Sequence, residues 1–383
     1  MRLAVFHSPS PLPETGPRSI AAVDVLRISV TDRCNFRCVY CMPAEGVRWL
    51  PREDILCYEE IADIVKAAIE IHGIRRFKLT GGEPTVRANL LDLVVMLRKI
   101  PGIADLSMTT NGFVLEHLAQ PLKEAGLERV TVSIDSLDPQ RFRQITRTGD
   151  LAVVLRGLDR CEDVGLPVKI NCVAMRGTND DEFADFARLT LSRELTVRFI
   201  EYMPLGDAAL MKDEGGRMKD ERNANTHSSF IPHPSSLVSP GPSAGCGSQN
   251  RGQNAFIPEP EIRHAIEREL GPLVPISRFL EFGVGPAIPY RLALGDPIGR
   301  IGFISAMSQP FCSTCNRLRL TADGTLRSCL FEGGEVDVRS ILRSETDMRQ
   351  RRQLLADAMT ECVRQKPIVH SGHGNRQMSQ IGG

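Results

Sequence analysis

Six short β-rich runs, each followed by an amphipathic stretch, predict an α/β chain built as a partial (βα)6 barrel of TIM type, with a smaller C-terminal domain behind it. Three observations carry this. The apolar runs have strand length, the stretches between them repeat at helical spacing, and each run ends in a group of polar residues. Such alternation implies parallel strands joined by right-handed crossovers. In barrels of this kind the chemistry sits at the C-terminal edge of the strands.

Taken in order, residues 1–24 carry Pro9, Pro11, Pro13 and Pro17 and no continuous apolar stretch. They read as an irregular lead-in rather than a secretory signal. The barrel is expected over 25–207, with strands at 26–31, 76–80, 105–110, 129–135, 168–174 and 196–202. Helices are expected at 58–72, 89–100, 115–125, 151–164 and 180–192, the first placing Ile61, Ile64, Val65, Ala68 and Ile69 on one face. Residues 208–255 turn rich in Ser, Pro, Gly and Asn and read as a disordered insertion. A C-terminal domain is expected over 256–383, with helices at 258–270 and 349–363.

The 383 residues are 42% hydrophobic and 25% charged, enough to bury a sizeable core. Lys plus Arg equals Asp plus Glu at 47 each, which argues against nucleic acid as a partner while leaving room for a local basic pocket. No run approaches the roughly 18 apolar residues of a membrane span. Eleven cysteines without an export signal point to the reducing cytoplasm and to ligand cysteines rather than disulfides. Of these, Cys57, Cys161, Cys172 and Cys362 read as small core residues and Cys246 as incidental.

The stretch SVTDRCNFRCVYCMP, directly after the first strand, spaces Cys34, Cys38 and Cys41 as C-x3-C-x2-C. A structural zinc site wants four ligands, and no histidine lies within thirty residues of Cys41. A ferredoxin-type cluster also wants a fourth cysteine. Three thiolates can hold three irons of a [4Fe–4S] cube and leave the fourth open. This motif, with Tyr40 before its last cysteine, resembles the radical S-adenosylmethionine superfamily. There the cofactor chelates the open iron, an electron from the cube cleaves it, and the 5′-deoxyadenosyl radical abstracts a hydrogen atom. The resemblance extends to Gly81-Gly82-Glu83-Pro84, whose glycine pair would permit close approach of the cofactor's methionyl amine. It implies cofactor contacts from Tyr40, Gly82, Ser133 and Met203.

A second incomplete set, Cys312, Cys315 and Cys329, is spaced C-x2-C-x13-C. By itself C-x2-C could be half a zinc ribbon or a redox pair. Between its members, Arg317 and Arg319 would share one face of a strand. Two such sets, together with KLTGGEPTVR, TTNG, VSIDSL, EYMPLGD and the terminal MSQIGG, resemble the GTP 3′,8-cyclase family of molybdenum cofactor biosynthesis. The resemblance implies two [4Fe–4S] clusters and S-adenosyl-L-methionine, with GTP held between the clusters and cyclised to 3′,8-cyclo-7,8-dihydro-GTP. It implies substrate contacts from Arg27, Lys78, Thr109, Lys169, Arg198, Arg317 and Arg319, and a tail, Gly382-Gly383, threaded toward the site. The partners it implies are an electron donor and a pyranopterin-forming enzyme downstream, and a homodimer is left open. Two other readings remain at this stage: a peptide-modifying radical enzyme with an auxiliary cluster, and a non-catalytic electron carrier or zinc-held interaction protein. His370 and His373 are assigned no catalysis.

Overall fold

The computed structural model describes residues 16–205, 255–277, 283, 285–372, 374, 376 and 378–382. Most of the expected insertion, with Cys246, lies outside the described residues, as do His373 and Gly383. Eight strands run parallel in the order β10-β1-β2-β3-β4-β5-β6-β9. The first six in chain order are β1 (Val25–Ser29), β2 (Arg76–Thr80), β3 (Asp105–Thr110), β4 (Arg129–Ser133), β5 (Val168–Ala174) and β6 (Leu195–Glu201). β9 (Arg300–Ile304) pairs with β6, and β10 (Arg317–Leu320) pairs with β1. Antiparallel strands extend each edge, β8 (Ile288–Leu292) and β7 (Leu273–Pro275) beyond β9, and β11 (Thr325–Arg327) and β12 (Glu335–Asp337) beyond β10, so strands after residue 255 continue the same sheet.

The period-two alternation of the strands sorts their side chains. In β1, Leu26 and Ile28 are fully buried on one face while Arg27 takes the other. β2 does the same with Phe77 and Leu79 against Lys78, and β6 with Val197 and Phe199 against Arg198. The apolar face packs on the helices as one continuous core. The polar face lines a cavity reached from all eight parallel strands, which requires the sheet to curl. A closed TIM barrel fills its interior with branched apolar side chains; this one sets cations and hydroxyls among apolar side chains around an open space.

Several boundaries differ from expectation for local reasons. β4 stops at Ser133, two residues early, because Asp135 turns its carboxylate to Tyr40 and to the Val173 N–H. The helix expected from 180 begins at Phe183, after a turn in which the Asp180 carboxylate accepts from Gly177 N. An unforeseen helix, α4 (Pro139–Thr146), is capped by the Asp138 side chain and buries Phe142, Ile145 and Thr146. Its predecessors are α1 (Tyr58–His72), α2 (Leu90–Arg98) and α3 (Leu115–Glu124). Cys57 is not a core residue. It is exposed at the N-cap of α1, where its sulfur accepts from Glu60 N and Glu60 answers on the Cys57 N–H, a capping box. Cys161, Cys172 and Cys362 are buried as expected. Among the described residues, no helix is long and apolar enough to cross a membrane.

Phe199 joins the six-strand unit to the strand that follows it in the sheet. It stacks on Phe303 of β9 at 5.9 Å and meets the Phe183 and Phe186 rings edge-on at 5.4 and 6.2 Å. Phe199→Ala is expected to destabilise the fold by about 3–5 kcal/mol, the range for emptying a buried aromatic site. Urea unfolding checks this, and an unchanged midpoint would contradict it.

Candidate active site between two cysteine trios

Cys34, Cys38 and Cys41 lie on the loop that leaves the C-terminal end of β1. The loop is held by its neighbours rather than by regular structure. Arg37 N and Val39 N donate to Thr146 O and Ile145 O at the end of α4. Arg147 Nη1 reaches back to Arg37 O and Met42 O at 2.8 and 3.0 Å. Arg37 Nη1 donates to Cys34 O at 2.6 Å, and Phe36 sits edge-on between Phe113 and Phe142.

The glycine pair of GGEP packs against this loop. A Cβ on Gly81, at φ +151°, would meet Thr31 O at 2.4 Å; one on Gly82 would meet Arg33 O at 2.3 Å. On the Cβ side of both glycines the space is taken by the backbone of the cysteine loop, a packing reason for the pair that stands beside the expected approach of the methionyl amine. Gly82 N and Glu83 N complete the contact by donating to Thr31 O and Arg33 O. Glu83 then ties in β3. Its carboxylate accepts from Thr85 Oγ1, Thr110 Oγ1 and Asn111 N at 2.6–2.7 Å. Burial pushes its pKa up, and these donors oppose the shift.

The second trio is built at the other end of β1. Cys312 opens a 3-10 turn, Cys315 precedes β10, and Cys329 follows β11 (Thr325–Arg327). Arg317 of β10 pairs with Val25, the first residue of β1. The two trios therefore flank a strand roughly 13 Å long at about 3.3 Å per residue. Lys366, 2% exposed, donates to Cys315 O and Arg317 O at 3.1 and 3.0 Å and fixes the turn. His370 gives its main-chain N–H to the Cys312 sulfur and stacks on Phe331 at 4.1 Å. Its Nε2 donates to Ala306 O while Nδ1 accepts from Gly372 N, which fixes the ring against the cavity wall.

Burial pushes Cys34 up to about 11 and Cys41 up to about 12, and it holds Cys38 well above the usual thiol value, with each trio member near another. Three unescorted thiolates would be costly there; bound iron would carry the compensating charge. At the second trio, burial raises Cys315 but Arg317 and Lys366 outweigh it, bringing the thiol down to about 7. Among the described residues, no three His, Cys, Asp or Glu side chains converge as they would on a single metal ion. A cube, whose irons occupy separate corners, takes its ligands more widely spread. Both trios line one cavity of about 290 Å³.

Of the residues expected to touch cofactor or substrate, Tyr40, Gly82, Ser133, Met203, Arg27, Lys78, Thr109, Arg198, Arg317 and Arg319 line this cavity too. Lys169 instead lines an adjoining chamber of the same size toward the N-terminal ends of the strands, which shares Lys78, Arg198 and Arg317 with the first. Gly382 accepts from Arg319 Nη1 at 2.6 Å and lies so close to Thr80 and Ser29 that a Cβ would meet Thr80 Cγ2 at 2.8 Å. The cations depress one another. Burial first, then Arg319, Arg317 and Arg198, hold Arg27 well below its usual value; burial, then Arg198 and Arg27, do the same to Lys78. Arg319 falls to about 9 through burial and Arg317. Thr109 Oγ1, Asn171 Oδ1 and Ser379 Oγ are buried at the cavity wall with no hydrogen-bond partner among the described residues, where a ligand would satisfy them.

Sequence reasoning counted Asp135 and Asn171 among the polar residues expected at strand ends without giving either a role, and it passed over Ser379. Asp135 accepts from Tyr40 Oη at 2.7 Å and from Val173 N at 2.8 Å, with its pKa pushed up to about 6 by burial. Asp135 stands just beyond the end of β4, whereas Asn171 lies in the middle of β5 and reaches the cavity from within the strand; Ser379 lies within MSQIGG, read only for its glycines.

A curled parallel sheet with a three-cysteine loop at its rim is the plan of radical S-adenosylmethionine enzymes, and residues 28–190 match the Radical SAM superfamily. Residues 244–372 match the family described as Molybdenum Cofactor Synthesis C. A GTP 3′,8-cyclase of Pelotomaculum thermopropionicum is 43% identical over 94% of this chain and 98% of its own length. One of Moorella thermoacetica is 42% identical over the same shares. The chain belongs to the GTP 3′,8-cyclase family.

The packing of the glycine pair yields a test. Gly82→Ala forces backbone against backbone and is expected to cost about 1–3 kcal/mol, the range for overpacking. Urea unfolding of the metal-free protein measures it; a wild-type midpoint would contradict the contact.

Proposed function

We propose that the protein converts GTP to 3′,8-cyclo-7,8-dihydro-GTP, the first step of molybdenum cofactor biosynthesis, with the nucleotide gripped between the two cysteine trios. The observation that carries this reading is that both trios and a group of mutually repelling cations face one continuous space.

In this reading Cys34, Cys38 and Cys41 hold a [4Fe–4S] cluster, and Cys312, Cys315 and Cys329 hold a second. S-adenosylmethionine at the first cluster supplies one-electron cleavage chemistry and hence hydrogen abstraction from the ribose 3′ carbon. The chain's own work is placement. Gly82, Ser133 and Met203 face the cofactor alongside Tyr40, whose hydroxyl Asp135 fixes. Arg27, Lys78, Lys169 and Arg198 answer the roughly four negative charges of a triphosphate, which their crowding leaves them poised to accept. Arg317 and Arg319 stand beside the second trio for the guanine end, with Thr109 offering its unpartnered hydroxyl. Fixing both ends of the nucleotide holds the ribose within the roughly 3–3.5 Å that atom transfer demands. Ile200, Val173, Phe311 and Phe331 line the same space and keep it poor in water. Gly382, bonded to Arg319, lets the tail reach the barrel interior, and Gly383 follows it in sequence. We place the reaction in the cytoplasm, served by an electron donor and followed by a pyranopterin-forming enzyme.

Anaerobic turnover with GTP tests the reading through its product. Cys38→Ala is expected to abolish 5′-deoxyadenosine formation; formation at the wild-type rate would refute the first site. Cys312→Ala is expected to keep the first cluster's iron and lose GTP binding. Unchanged binding of GTP would refute the second.

A further inference from the structure

Inside the barrel, two cations from different strands converge on one neutral hydroxyl. Thr131 lies on β4, 1% exposed, and faces inward by the same alternation that buries Val130 and Val132 on the outer face. Its Oγ1 accepts from Lys78 Nζ of β2 at 3.0 Å and from Arg198 Nη2 of β6 at 3.1 Å. The two donors come from two strands away on either side. Both line the lower chamber with Thr131, Lys169 and Arg129.

A threonine hydroxyl has two acceptor positions and one proton. Here both acceptor positions are taken by cationic donors. Among the hydrogen bonds of the described residues, Thr131 Oγ1 appears only as an acceptor. Its proton remains to be given, and the two cations polarise the O–H and strengthen it as a donor. The carboxylate that also lines this chamber, Asp105, is held by Arg129 in a two-pronged pair with Nη1 to Oδ1 at 2.6 Å. An anion entering the chamber would therefore meet an ammonium, a guanidinium and a hydroxyl proton drawn onto a single centre.

We propose that Thr131 is a substrate-binding residue: it donates its hydroxyl proton to the phosphate chain of the nucleotide and holds Lys78 and Arg198 side by side as the flanking prongs. The proposal rests on the GTP reading above and adds to it a neutral residue that neither composition nor charge would single out.

The test compares Thr131→Val, which removes the hydroxyl and keeps the branched shape, with Thr131→Ser, which keeps the hydroxyl. Dissociation constants for GTP, guanosine and inorganic triphosphate are measured by equilibrium dialysis on anaerobically reconstituted holoprotein. The valine variant is expected to bind GTP and inorganic triphosphate roughly tenfold to a hundredfold more weakly, as for a hydrogen bond to a charged group. Guanosine binding is expected to stay within about twofold, and serine to restore the wild-type pattern. A valine variant that binds GTP like wild type, or that loses guanosine in the same proportion, would overturn the proposal. Should valine not fold, Thr131→Ala gives the same comparison. A wild-type protein that binds no GTP at all would instead overturn the underlying reading, and this proposal with it.

Discussion

Like charge confined inside an apolar shell is the constraint on which this architecture turns. The outer faces of the strands are fully buried against helices, so the sheet cannot turn over to release its inner face to water. The inner face carries Arg27, Lys78, Lys169, Arg198 and Arg319, and burial and mutual repulsion depress Arg27, Lys78 and Arg319. The nearest carboxylates are already engaged: Glu83 by three neighbours, Asp135 by Tyr40 and Val173, Asp105 by Arg129. An interior of this kind is least costly when a polyanion fills it. The free energy released on its arrival is available for holding a substrate in one pose.

The second organising device is that irregular loops are fixed by backbone contact rather than by side-chain bulk. The glycine pair lets the β2 loop lie directly on the cysteine loop, and Glu83 extends that link to β3. Glu201 repeats the logic at the end of β6, accepting from Glu259 N, Met307 N and Ser308 N and so pinning the segment that leads to Cys312. Each trio is thus set by a buried carboxylate at a strand end that gathers several N–H or O–H donors. Arg319 connects the two ends, lying on the strand beside the second trio while bonding the tail residue Gly382 near Thr80.

The six barrel strands were legible because alternation and length are local properties, and each lies within two residues of its expected limits. The helix at Pro139–Thr146 was not, because eight mostly polar residues with two apolar anchors give no periodic signal. Nothing local announced that β9 and β10 join the sheet as parallel strands, since pairing between segments more than a hundred residues apart is a property of topology. At the site, cysteines and cations were visible as residue types. Neutral members inside recognisable motifs, Tyr40, Gly82, Thr109, Ser133 and Met203, came only through the family resemblance, and two others did not come at all: Thr131 reads as an ordinary β-former until β2 and β6 bring their cations to it, and Ser379 is hidden in a segment read for its glycines.

The central claim is that cofactor and nucleotide occupy different trios across one cavity. Electron paramagnetic resonance of the reduced, anaerobically reconstituted protein tests it most directly. The account predicts two cluster signals, of which S-adenosylmethionine shifts one and GTP shifts the other. A single cluster signal, or GTP and S-adenosylmethionine perturbing the same one, would contradict it.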